Sequence, residues 1–106
     1  MTKITKKKNG NYLLTSNIAE DTFKFDEDIG AYLARNIEKV RYHSQDNLWL
    51  YKNNRGKETT LARHLYITQK AKNGGDRYVG KVAFKNGNRT DMRRENLTTV
   101  LGMTRV

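Results

Sequence analysis

The side chains best suited to chemistry lie between residues 79 and 100, in a polar segment flanked by two short apolar stretches. Val82 and Phe84 alternate with small or charged residues, which predicts a half-buried strand, and residues 97–101 form the predicted return strand. An Asn-Gly-Asn turn at 86–88 would join them, since glycine and asparagine tolerate positive φ. Cations that can bind phosphate groups lie on or beside this hairpin: Lys81, Lys85, Arg89, Arg93 and Arg94.

The polar segment resembles the motif of HNH endonucleases, the homing-type family with a ββα-metal core, in its phage form. The family pattern runs approximately apolar-apolar-His-x-Asn-Gly-Asn-x-x-Asp-Asn-Arg-x-x-Asn-Leu. The residues that match it at the same spacing are Asn86, Gly87, Asn88, Asp91, Arg93, Asn96 and Leu97. The resemblance covers roughly residues 25–101, with its specific part at 82–97. It implies that the hairpin lies against a DNA backbone, where Arg93 ranks lower as a contact because it can instead brace the loop against Asp91 or a carbonyl group.

The chain departs from the HNH pattern wherever the family places its catalytic groups. Phe84 stands at the position of the general-base His, and Ala83 at that of a metal ligand. The last metal ligand would fall at Arg105, and the Asn of Asp-Asn-Arg is Met92. The His of the segment before the motif is Ala62. The resemblance therefore implies an HNH-like scaffold that lacks the catalytic His and the metal ligands.

The missing groups are those that phosphodiester hydrolysis requires. One-metal hydrolysis needs a cation on the scissile phosphate and a base that deprotonates water. Phe84 takes no proton, Ala83 binds no metal, and Arg105 would repel a metal ion. We therefore expect no nuclease activity, no metal site and no cofactor. Asn96 holds the base His and the loop in the family, so we expect a structural role for it, shared with the other motif residues Asn86, Gly87, Asn88 and Asp91.

Charge is distributed unevenly along the chain, whose 106 residues carry a formal net charge of +10. Residues 1–19 carry four Lys and no acidic residue, residues 20–40 three basic and six acidic ones, and residues 41–106 fourteen basic and five acidic ones. This segregation favours a polyanionic partner. We expect that partner to be nucleic acid, and DNA before RNA. The run of Lys6, Lys7 and Lys8 is either solvated or a further phosphate contact that reads no sequence.

The first half of the chain predicts a basic tail followed by a helix. Residues 1–19 form the tail, in which Tyr12–Thr15 could pair with a sheet edge. Residues 25–40 have apolar side chains near helical spacing and Asp26 as a plausible N-cap, although Gly30 weakens this helix. A short helix followed by a strand over residues 37–42 is the alternative.

The central part predicts strands and a second helix. Trp49 and Tyr51 alternate with polar or aliphatic neighbours within residues 40–61, so one strand face is aromatic, and we expect Trp49 in the core rather than stacked on a base. Residues 61–72 predict a helix capped by Thr60. His64 is expected to be a surface or packing residue rather than a ligand. A flexible Gly-rich loop is expected at 73–76.

Composition predicts a small α+β domain without covalent cross-links. The absence of Cys excludes disulfides and thiolate zinc sites, and no apolar run approaches the roughly 20 residues of a membrane span. We expect a cytoplasmic protein, in the host cytoplasm if phage-encoded. The expected organisation is the tail at 1–19 and one HNH-like domain at 20–106, with a small antiparallel sheet, one or two helices and a degenerate HNH-like hairpin. The metal-bearing helix of the family is expected to be absent or vestigial after Val100.

Three functions remain open on the sequence alone. The first is a non-catalytic protein of phage or mobile-element type that binds nucleic acid. The second is a phage inhibitor, such as an anti-CRISPR or another host-takeover protein, that blocks a host nucleic-acid-processing enzyme. The third is an HNH-type nuclease with a rearranged site.

Overall fold

The computed structural model describes residues 1–69 and 81–99. Within these ranges the chain is α+β, with two α-helices and three small antiparallel sheets. The predicted fold class is therefore confirmed, although the strands form separate sheets rather than one. Several expected features lie outside the described residues: the end of the second helix at 70–72, the loop at 73–76, the last residues of the return strand at 100–101, Arg105 and whatever follows Val100.

The first sheet is formed by β1 (Lys3–Lys6), β2 (Tyr12–Thr15) and β3 (Glu20–Phe23), in that spatial order. Tyr12–Thr15 is thus the middle strand of a sheet, and the expectation that it would pair at a sheet edge is wrong. The edge strand is β1, whose Ile4 packs against the core between exposed lysines. Residues 1–19 accordingly form two strands instead of a tail. The reason is that alternate side chains of β2, Tyr12 and Leu14, are large and apolar and are buried in the core.

Helix α1 (Glu27–Arg35) is shorter than predicted. A 3₁₀ turn (Ile37–Lys39) follows it and leads directly into β4 (Val40–His43), so the alternative of a short helix followed by a strand is the correct one. Asn36 ends the helix, with non-helical backbone angles and its side-chain amide donating to the carbonyl of Tyr32 at 2.9 Å. Asp26 occupies the N-cap position but its carboxylate makes no cap hydrogen bond.

The second sheet consists of β4, β5 (Leu48–Lys52) and β6 (Glu58–Thr60), and helix α2 (Leu61–Gln69) follows it without a loop. Thr60 caps α2 as predicted, since its hydroxyl oxygen accepts the N–H of Arg63 at 3.3 Å. Strand β5 alternates as predicted, and Trp49 and Tyr51 are buried. The prediction that Trp49 belongs to the core is confirmed.

The third sheet is the hairpin of β7 (Val82–Phe84) and β8 (Leu97–Thr99), with Phe84 opposite Leu97. Residues 85–96 join the two strands and are called the motif loop below. One apolar core unites the three sheets and both helices, and each fully buried aliphatic side chain contributes about 1.5–3 kcal/mol. Its fully buried aliphatic members are Leu14, Ile29, Leu33, Val40, Leu61, Leu65 and Leu97. In the described part of the chain neither helix has the length and hydropathy needed to cross a membrane.

Candidate functional site

The motif loop is closed by the amide of Asn96, which is 5% exposed. Its Oδ1 accepts the backbone N–H of Asn86 at 2.9 Å, and its Nδ2 donates to Asn86 Oδ1 at 2.9 Å and to the carbonyl of Asp91 at 2.8 Å. These bonds use both N–H donors and the oxygen of the amide. Asn96 therefore connects the start and the middle of the loop and has no donor left for a partner.

Asparagine side chains also shape the tip of the loop. Asn86 Oδ1 accepts the N–H of Asn88 at 2.8 Å, and Asn88 Oδ1 accepts the N–H of Thr90 at 3.0 Å. These are consecutive Asx turns, in which a side chain replaces a backbone acceptor. Gly87 lies between them at φ 76°, a conformation that favours glycine. The Asn-Gly-Asn sequence thus forms the turn that it predicted.

A buried ion pair stabilises the centre of the loop. The Asp91 carboxylate is 1% exposed and accepts Arg93 Nε and Nη2, each at 2.8 Å, together with Asn86 Nδ2 at 3.1 Å. The bidentate bond from Arg93 holds the pKa of Asp91 below its usual value, in spite of the opposing effect of burial. Arg93 also pairs with Glu95 at 2.9 Å. Its charge is therefore balanced by two carboxylates within the loop.

The loop is attached to the segment that enters α1. The N–H of Lys24 donates to the carbonyl of Thr90 at 2.8 Å, and the N–H of Met92 donates to the carbonyl of Lys24 at 2.9 Å. Asp26 contributes its carboxylate to the same junction. Instead of capping α1, it accepts the backbone N–H of Arg94 at 2.8 Å.

The side chain of Arg94 reinforces this junction. Its guanidinium bonds the Asp28 carboxylate and lies 3.9 Å from Asp26. The bond to Arg94 lowers the pKa of Asp28, so this carboxylate remains charged. Arg94 is thus directed at helix α1, and its charge, like that of Arg93, is balanced inside the chain.

The positions that would carry HNH catalysis hold packing residues. Phe84 packs half-buried against the core, Met92 is buried within it, and Ala83 lies opposite Thr98 in the hairpin. The nearby carboxylate of Asp91 is occupied by Arg93 and Asn86. Among residues 1–69 and 81–99, no three His, Cys, Asp or Glu side chains are grouped as a metal site would require.

Three predicted cations remain exposed at the hairpin: Lys81, Lys85 and Arg89. Their side chains form no hydrogen bond or ion pair with any residue that the structure describes. Lys81 and Arg89 line one groove, whereas Lys85 follows β7 in the turn, where its backbone N–H donates to the carbonyl of Asn96 at 2.9 Å. The hairpin therefore presents positive charge that the described chain leaves uncompensated.

The N-terminal lysines belong to a different part of the fold. Lys6 ends β1 and lies 3.6 Å from the Glu27 carboxylate, while Lys7 Nζ donates to Thr22 Oγ1 at 3.4 Å. Both contacts are exposed and contribute little. Lys8 is exposed in the β1–β2 turn. The structure thus places these lysines on the first sheet, and none of them lines the groove beside the hairpin.

The groove that holds Lys81 and Arg89 has a volume of about 750 Å³ and lies between β5, the start of α2 and the hairpin. Its lining also includes residues that sequence reasoning did not assign to a site, chiefly Leu48, the buried Trp49 and Arg63. These come from elements far from the motif in sequence, so that no local pattern could have grouped them. Trp49 is held there by Nε1, which donates to Asp21 Oδ2 at 2.8 Å.

His64 belongs to a separate aromatic cluster. Its ring stacks on Tyr51 with centroids 3.6 Å apart, and Nε2 lies 3.0 Å from the hydroxyl of Tyr32. Burial, assisted by the charge of Lys39, lowers the pKa of His64 to about 4. His64 is therefore a packing residue, one of the two roles expected for it.

Comparison with known proteins gives no relative for this chain. No protein family, curated protein or solved structure matches it. The likeness to HNH endonucleases therefore remains a prediction made from the motif residues.

Proposed function

We propose that this protein binds nucleic acid through the hairpin and the motif loop, and that it does not cleave its ligand. The single observation that carries the proposal is the exposure of Lys81, which precedes β7, and of Lys85 and Arg89 on the motif loop, whose other charges are internally balanced. Cations held on a braced loop lose little conformational freedom when they meet phosphates, and they bind without reading sequence. The net charge of +10 adds long-range attraction for a polyanion.

The different pairing of the three loop arginines supports the proposal. Arg93 and Arg94 maintain the shape of the loop through Asp91 and Asp28, whereas Arg89 extends from it without a partner in the described chain. The degenerate HNH motif, on this proposal, is a scaffold for presenting cations.

The non-catalytic part of the proposal is supported by Phe84 and Ala83, which supply neither a base nor a metal ligand. Plasmid DNA incubated with the protein and Mg²⁺, Mn²⁺ or Zn²⁺ should stay supercoiled. Nicking that persists through repurification and disappears with EDTA would show that the chain has a rearranged nuclease site.

The binding part is tested by charge reversal. Lys85→Glu combined with Arg89→Glu should abolish binding to duplex DNA at low salt, with an unchanged circular dichroism spectrum. Arg55→Glu combined with Lys57→Glu is the matched control, because it makes the same change of net charge in the β5–β6 turn, where both residues are exposed. Equal loss in both variants would mean that only net charge matters. Absence of binding by the parent protein would refute the proposal and favour a protein partner, as an inhibitor requires.

A further inference from the structure

We propose that the groove beside the hairpin receives an unpaired nucleotide, so that the protein prefers single-stranded nucleic acid to duplex. This inference rests on the proposed function and specifies its ligand. It starts from the volume of the groove, about 750 Å³, which lies within the range of pockets that enclose small organic groups. A loop that bound only the outside of a duplex would need cations but no such recess.

The lining of the groove separates apolar from charged groups. Leu48 and Phe84 supply the apolar surface of the groove, and the buried Trp49 and Met92 lie beneath it. Leu48 is 38% exposed, a large fraction for an aliphatic side chain, and Phe84 is only half-buried. Apolar surface of this kind is what the face of an unstacked base requires.

The cations of the groove fit the phosphates of the same strand. Arg63, Lys81 and Arg89 line it, and its one acidic lining residue among those described is Asp21. Leu61, Ala62 and Arg63 in the groove lining form the first turn of α2, so the positive end of the helix dipole adds to the same field. An unpaired strand places bases and phosphates in alternation, which matches an apolar surface bordered by cations.

Duplex DNA fits this arrangement poorly. Its bases are paired and stacked, so a surface loop meets mainly phosphates and sugars, and the apolar lining would stay unfilled. An acidic peptide fits poorly for another reason. Asp21 lies in the groove beside Trp49, and a carboxylate there repels acidic side chains while it can accept a hydrogen bond from an N–H group of a base, such as the ring N–H of thymine.

Trp49 provides a direct reporter, because it is the single tryptophan of the chain and lines the groove. The experiment titrates the parent protein with a short oligothymidylate strand and with a mixed-sequence duplex of the same length, at low salt. We expect about tenfold tighter binding of the strand, the effect of one stacked base, and quenching of Trp49 emission by the strand. Equal or tighter binding of the duplex, or unchanged emission at saturation, would overturn the inference.

A pair of variants locates the effect. Leu48→Glu places a negative charge at the groove without removing a buried group, and should weaken binding of the strand about tenfold while duplex binding changes less than about twofold. Ile18→Glu is the matched control, since Ile18 is 65% exposed in the β2–β3 turn and does not line the groove. Equal weakening in both variants contradicts the proposal.

The outcomes separate this inference from the proposed function. If neither the strand nor the duplex binds, the proposed function itself fails, and this inference fails with it. If the duplex binds as tightly as the strand, only the inference about the groove fails. Displacement of the labelled strand by polyglutamate as readily as by unlabelled strand would show that the groove recognises negative charge alone, and would overturn the assignment of a base.

Discussion

Asn96 and Asn86 hold each other through two hydrogen bonds of 2.9 Å, one to a backbone N–H and one between their side-chain amides. Removal of the Asn96 amide would leave a buried carbonyl of Asp91 and the amide of Asn86 without these partners. Unpaired buried groups cost about 1–3 kcal/mol.

Asn96→Ala should therefore lower the free energy of unfolding by about 2 kcal/mol, and the melting temperature by roughly 8–16 °C in a domain of this size. Differential scanning calorimetry measures both. Asn54→Ala is the control, since Asn54 is exposed and its side chain accepts a hydrogen bond from Lys39 Nζ alone among the residues that the structure describes. An Asn96→Ala melting temperature equal to that of the control would show that the loop does not depend on this amide.

Gly30 and Tyr12 supply a second stability prediction. A Cβ added at Gly30 would lie 2.3 Å from Tyr12 Cζ, and the Tyr12 ring is itself fixed in the core, 5.8 Å from the ring of Phe25. Gly30→Ala should destabilise the protein by about 1–3 kcal/mol, although alanine favours a helix by about 1 kcal/mol over glycine.

The contact can be isolated by a double-mutant cycle. The same Gly30→Ala change made in a Tyr12→Leu background, where the ring is absent, should cost clearly less than in the parent protein. Additive losses measured by urea unfolding would contradict the contact. Ala31→Gly, on the exposed face of α1, serves as the control for helix propensity.

Glycine at position 30 shows where sequence reasoning reached its limit. The glycine weakened the prediction of α1 because propensity treats it as a cost to the helix. The structure gives the reason for its presence, which is the close approach of a tyrosine from β2. That approach depends on how two elements pack, and no pattern within either element encodes it.

Other features depended on local pattern and were predictable. Trp49 and Tyr51 alternate with exposed neighbours and are buried, and Thr60 caps α2. Strand β1 is not predicted from the sequence, because it contains a single apolar residue, Ile4, between lysines at positions 3 and 6. One apolar residue is too few to show the alternation of a strand.

The groove was missed for a similar reason. Leu48 and Arg63 join the hairpin residues only in the folded chain. Prediction from sequence therefore found the cations of the motif but not the surface beside them.

His64 makes stability depend on pH in a defined window. Its pKa is about 4 in the folded protein against 6.5 in its ordinary state, so between these values the unfolded chain binds the proton more readily. Stability should be unaffected above pH 6.5 and fall as the pH drops from 6.5 to 4. The loss is on the order of 2 kcal/mol, after allowance for the partial exposure of the ring.

His64→Gln should lose this dependence between pH 4 and 6.5, while remaining sensitive to stronger acid. Carboxylates such as Asp91 have a lowered folded pKa, so their contribution is lost only below their ordinary value of 3.8. Chemical denaturation at a series of pH values measures both slopes. A parent protein with constant stability across the window would show that the His64 ring is solvated when protonated.

Substitution of Arg89 and of Arg94 tests whether different residues of the motif loop provide ligand binding and protein stability. Arg94 bonds Asp28, and its backbone N–H bonds Asp26, whereas Arg89 is exposed without a partner in the described chain. Arg94→Ala should lower the melting temperature by about 2–4 °C, because a partly exposed ion pair is lost. Arg89→Ala should leave the melting temperature unchanged and weaken nucleic-acid binding.

The salt dependence of binding distinguishes the two roles. If Lys81, Lys85 and Arg89 each neutralise one phosphate of a duplex, log K should fall against log salt with a slope of about −2.7. Arg89→Ala should reduce the slope to about −1.8, since one counterion fewer is released, whereas Arg94→Ala should keep the parent slope. Fluorescence anisotropy with labelled duplex over a salt series gives all three values. A slope that changes equally in both variants would mean that Arg94 leaves Asp28 to meet phosphate, and the assignment of separate roles would be wrong.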